Sequence, residues 1–128
     1  MNRLYTQFRL SLEKRMIDIY ALFAVGATGA PTLDSANSKG VASIARVSAG
    51  LYDITFQDNY VALMAASDMI TLASGDPSSV GGMIVRSVTL GSSGAAVRVL
   101  FVDSAGAAVE LDNGASVALH FEWKGSTV

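Results

Sequence analysis

In the stretch SAGLYDITF, residues 48–56, Tyr52, Ile54 and Phe56 alternate with Leu51, Asp53 and Thr55. Period two with one apolar side is the pattern of a strand that buries one face. The pattern recurs along the chain. Ile17, Ile19, Ala21, Phe23 and Val25 predict one apolar face of a long strand, with Asp18 and Tyr20 on the other. Val117, Leu119, Phe121 and Trp123 predict the same for the stretch SVALHFEWKG, with Ala118, His120, Glu122 and Lys124 opposite. Between them VASIARV, SDMITLAS, MIVRSVTLG and AAVRVLFVD read as further strands. Ile54, Phe56, Phe101, Leu119 and Phe121 form the expected core, with Tyr52 or Trp123 near its edges.

Turn chemistry separates these runs. SAG, with Gly50 placed for positive φ, joins VASIARV to LYDITF as a hairpin, and SSG does the same before AAVRVLFVD. Asn113-Gly114 is the strongest single turn signal. GATGAPTLDSANSKG and GDPSSVGG read as loops. QDNYVALM suits one helical turn with Asp58 as N-cap. KGVASIARVSAGLYDITF and GAAVRVLFVDSAGAAVEL share an order of strand, Ser-Ala-Gly turn, strand, which reads as reused hairpin chemistry. About seven or eight short strands without βαβ alternation predict an all-β antiparallel sandwich or jelly roll.

The first residues have two readings. Leu4, Phe8 and Leu12 suit a helix face, whereas Phe8, Leu10 and Leu12 alternate as a strand would. An extended or partly stranded arm is favoured. The expected organisation is an arm over 1–15 and a sandwich over 16–128. The arm's Leu4, Tyr5, Phe8, Leu10 and Leu12 are too apolar to leave in water, and they are the expected assembly interface.

Composition sharpens this picture. The chain has 128 residues, which fits one domain with a sufficient core. It has no cysteine, so disulfides, thiolate metal sites and a cysteine nucleophile are excluded. A net charge of −2 gives no basic footprint for nucleic acid. No apolar run reaches the ~18–20 residues of a membrane span, because Asp18 and glycines interrupt MIDIYALFAVGATGAP. The opening MNRLYTQFRLSLEKR does not read as a signal peptide. Charged residues are 16% of the chain, against an ordinary ~25%, and 51% are hydrophobic. Either small residues inflate the hydropathy, or much surface is covered by copies and partners; the abundance of large apolar residues favours the second.

Candidate chemistry is sparse. His120 is the single histidine, so any Ser-His-Asp triad must use it, but no G-x-S-x-G elbow is present. Its place on the polar side of its strand favours a histidine facing solvent or an interface. DSANS at 34–38 and DNGAS at 112–116 have oxygen-rich spacing, but neither makes an EF-hand loop. GATGA at 26–30 lacks the Lys-Ser/Thr of a phosphate loop. Trp123, Phe121 and Tyr52 offer a sugar-stacking platform only if they leave the core. No catalytic residue, metal site or cofactor is expected.

Most of the chain, however, carries a resemblance. GATGAPTLD, SKGVASIAR, SAGLYDITF with DNY after it, VRVLFVDSAGAAVELDNGASV and HFEWKGSTV resemble a group of small virion structural proteins of tailed double-stranded DNA bacteriophages. Such proteins are often head decoration (cement) proteins on the capsid exterior, and some are fibre or tail components. The resemblance implies a non-enzymatic structural protein, made in the host bacterial cytoplasm and carried on the virion. It further implies contacts with the major capsid protein and with copies of itself, a homotrimer above all. The alternatives are a head-fibre or tail component and a carbohydrate-binding sandwich module.

Overall fold

The computed structural model describes residues 16–72, 80–91 and 93–125. Among the described residues there are eight strands: β1 Met16–Val25, β2 Pro31–Leu33, β3 Val41–Ser48, β4 Leu51–Phe56, β5 Ala62–Thr71, β6 Gly82–Thr89, β7 Ala96–Val102 and β8 Ser116–Lys124. They form two four-stranded sheets, in the orders β2-β1-β8-β5 and β3-β4-β7-β6, with every pairing antiparallel. The expected all-β sandwich is the observed fold. The strand faces also fall as their alternation predicts. Ile19, Ala21, Phe23 and Val25 of β1 are buried, as are Tyr52, Ile54 and Phe56 of β4. So are Val117, Leu119, Phe121 and Trp123 of β8.

Two aromatic clusters fill the space between the sheets. In one, Phe56 meets Phe121 and Trp123 edge-on at 5.2 and 5.0 Å between ring centroids, and Tyr60 stacks on Trp123 at 4.9 Å. In the other, Tyr52 lies between Phe23 and Phe101 at 5.6 and 5.8 Å. Tyr52 and Trp123 are therefore central, not marginal as the sequence suggested; both are 0% exposed. Tyr52 is accommodated because its hydroxyl donates to the Gly29 carbonyl at 2.7 Å. The Trp123 indole N–H finds no acceptor among the described residues.

Other expectations change. QDNYVALM does not make a helical turn: the chain is irregular through Val61, and strand β5 begins at Ala62. Cross-strand pairing with β8, from Ala62 opposite Lys124 to Thr71 opposite Ser116, overrides the helix preference of Ala, Leu and Met. GATGAPTLDSANSKG is not all loop. It holds a 3-10 turn at Ala27–Gly29 and then β2, which pairs with Phe23–Val25. The two Ser-Ala-Gly turns also diverge. The first closes the β3–β4 hairpin with Gly50 at φ 69°. After the second, the chain returns only as an isolated bridge between Val102 and Ala108. The cause is that β7 has β6 on one side and, as far as Leu100, β4 on the other, so only its last two residues leave an edge for the returning chain.

The edge strands are broken up. β5 carries a register shift between Leu63 and Ala65, β6 one between Val85 and Ser87, and β3 two. Irregular edges of this kind discourage open-ended strand pairing.

Candidate interaction surface

The glycine-rich loop has a structural purpose. Gly29 sits at φ 75°, and a β-carbon there would lie 1.9 Å from Glu110 Oε1. The bare backbone lets Glu110 close over the loop and pair with Arg46, whose Nε donates to Oε1 at 3.1 Å while Nη2 donates to Oε2. The guanidinium holds the Glu110 carboxyl below its usual range, and the carboxylate in turn raises Arg46. Arg98 pairs with Asp53 through two bonds of 2.7 and 2.8 Å on the outer face of the second sheet, which lowers the Asp53 carboxyl. Both cations are paired; the Asp53–Arg98 pair borders a hollow of about 220 Å³ with Ser87, Thr89 and Ala96, and its charges are already satisfied by each other.

The two oxygen-rich stretches are turns. Asp34 accepts from the Asn37 backbone and from its side-chain amide, the latter at 2.8 Å, and the amide bond lowers the Asp34 carboxyl. Ser38 is buried and serves the β1 backbone: it accepts from Leu22 N–H at 2.9 Å and donates to Leu22 C=O at 3.3 Å. At the other stretch, Gly114 has φ 90° and donates to the Val25 carbonyl, and Ala115 donates back to Asp112. Among the described residues no group of three His, Asp or Glu side chains is placed to hold a metal ion. No helix among them is long and apolar enough to cross a membrane.

His120 lies on the outer face of the first sheet, as the alternation predicts. It contacts Asp18 Oδ1 at 3.0 Å and stacks on Tyr20 at 4.8 Å between centroids. Its cross-strand neighbour on the other side is Ser67 of β5, a juxtaposition that sequence spacing could not reveal. Histidine, aspartate and serine thus stand near one another, but no hydrogen bond joins His120 to Ser67. They stand on an open sheet whose β8 backbone is engaged on both sides by β1 and β5. An acyl-transfer site needs free N–H donors aimed at the oxyanion, and a strand paired on both sides does not offer them.

Trp123, Phe121 and Tyr52 are all 0% exposed, so they present no stacking platform to a sugar. The assembly residues expected from the sequence, Leu4, Tyr5, Phe8, Leu10 and Leu12, lie outside the described residues.

What the described surface offers is an apolar face. On the outer side of the β2-β1-β8-β5 sheet, Tyr20 is 52% exposed and Met69 63% exposed. Leu22, Ala118 and Met69 form one row across β1, β8 and β5. The small Ala118 lies between two long side chains, so the row is a trough. Hollows of about 470 and 240 Å³ meet there and share these three residues. A comparison of the chain with protein-family models, with curated proteins and with solved structures found no match.

Proposed function

We propose that this chain is a non-enzymatic structural component of a bacteriophage virion, a decoration protein that sits on the capsid exterior and reinforces contacts between capsid subunits. The observation that carries the reading is the apolar outer face around Tyr20, Leu22 and Met69, set on a sandwich in which Arg46 pairs with Glu110 and Arg98 with Asp53. A protein that works by covering surface needs such a face, whereas an enzyme needs a cleft with convergent polar groups. The resemblance of its strand-and-turn motifs to virion proteins and the low content of charged residues support the same reading. Its partners are the major capsid protein and copies of itself, arranged as a homotrimer at a symmetric capsid position. Each contact can be weak, because linked sites on an array give avidity.

Immunogold labelling of virions of the encoding phage, with antibody raised against the chain, tests this reading. Label over the head surface is expected. Label confined to tail or fibres makes the chain a tail or fibre component, and unlabelled virions overturn the proposal.

A further inference from the structure

We propose that the trough on the outer face of the β2-β1-β8-β5 sheet is the seat for residues 1–13 of a second copy of this chain. This rests on the self-associating half of the reading above, and not on its phage half.

Shape and polarity match. The trough runs along β8, with Ala118 as its floor and Tyr20, Leu22 and Met69 as walls. A narrow apolar channel on a sheet suits an extended segment with apolar side chains on one side. Phe8, Leu10 and Leu12 alternate with Arg9, Ser11 and Glu13, so a strand-like arm presents all three to one face.

Charge matches as well. Residues 1–15 hold four basic side chains, Arg3, Arg9, Lys14 and Arg15, against the single acidic Glu13. The remaining residues hold five Lys or Arg against ten Asp or Glu, so the rest of the chain is acidic. Asp34 borders one hollow of the trough and Asp68 the other. A basic apolar segment and an apolar trough with acidic margins are complementary.

The make-up of the arm decides between the chain's own trough and a neighbour's. Residues 3–15 contain no Gly, Pro, Asn or Asp, and Ser11 is their one turn-forming residue, so little in the sequence next to Met16 favours the tight reversal needed to lie back over the same sheet. Thirteen extended residues span about 43 Å, enough to reach an adjoining copy.

The absence of cysteine makes the test clean. Leu10→Cys and Met69→Cys are made in separate full-length chains with tags of different size, mixed, and oxidised mildly. The mixed disulfide is expected in clear excess over that from Leu10→Cys with Thr55→Cys, which lies on the outer side of the other sheet. Equal yields overturn the proposal. So does a double variant, Leu10→Cys with Met69→Cys, that closes its bridge only within one chain. Met69→Lys, at an exposed position, should weaken self-association about tenfold in sedimentation, whereas Ile84→Lys on the other sheet should not; equal effects count against the trough. If the disulfides fail but virion heads are labelled, the seat is wrong and the virion reading stands. If the disulfides form but virions stay unlabelled, the seat stands and the virion reading is wrong.

Discussion

The hydroxyl of Tyr52, in β4, donates to the carbonyl of Gly29, which belongs to the turn after β1 in the opposite sheet. One buried hydrogen bond thus ties the two layers together at the end of the sandwich where Arg46 and Glu110 close over the loop. Tyr52→Phe would strand the buried carbonyl, at about 1–3 kcal/mol. Urea denaturation should show this loss with an unchanged slope.

The same tyrosine makes the protein sensitive to alkali. Burial, and then the nearby Glu110 charge, push its hydroxyl up to about 12, against the opposing effect of Arg46. An unfolded tyrosine ionises near about 10. The folded pKa is the higher one, so this contribution to stability is intact below about pH 10 and is lost as the pH rises through 12. Thermal melts across that window should fall more steeply for the wild type than for Tyr52→Phe. Parallel curves would show that Tyr52 is not the group responsible.

At the acid end the sign reverses. Arg98 holds the Asp53 carboxyl low, and Arg46 holds that of Glu110 low. Their stabilising effect is present above the unfolded carboxylate range, near about 4, and disappears as the pH falls through the lower folded values. Asp53→Asn and Glu110→Gln together should flatten the melting temperature between pH 5 and pH 2. High salt should narrow the gap between variant and wild type.

Phe121 packs edge-on against Phe56 in the centre of the core and is fully buried. Phe121→Ala should cost about 3–5 kcal/mol in denaturant melts. A loss below about 1 kcal/mol would mean that the strand's two faces are not distinguished by burial.

Two glycines should behave oppositely. At Gly50, φ is 69° and a β-carbon would stand 2.3 Å from the Val109 carbonyl oxygen. Gly50→Ala should lower stability by about 1–3 kcal/mol through backbone strain alone, before any clash. At Gly82 nothing lies within 4 Å, so Gly82→Ala should be neutral or mildly stabilising.

The strands that alternate strictly, β1, β4 and β8, were legible from residues alone, because each buries one face and leaves the other open. Gly50 and Asn113-Gly114 were legible because left-handed backbone has few suitable residues. Only the second half of β5 was, within SDMITLAS. Its first half, Ala62–Ala66, is rich in Ala, Leu and Met, and its identity as an edge strand comes from pairing with β8, about fifty residues later in the chain. Ser38 read as one more turn residue, and only the fold shows it bonded to Leu22. Arg46 and Glu110 are 64 residues apart, so no spacing rule joins them. The trough on the first sheet was equally hidden, since Leu22, Ala118 and Met69 meet only through register.

The central place of β8 between β1 and β5 also has a temporal side. During synthesis β1 emerges early, with only the three pairings to β2 available to it. Its main partner, Ser116–Lys124, follows roughly 5–20 s later at ordinary translation rates. For that interval Ile19 and Phe23 stand on an unclosed sheet, the kind of nascent surface that holding chaperones grip. A chain interrupted before Ser116 leaves both β1 and β5 without their shared neighbour, and the layer that carries the trough never closes. The long edges of β1 and β5 are therefore joined only once Ser116–Lys124 has been made.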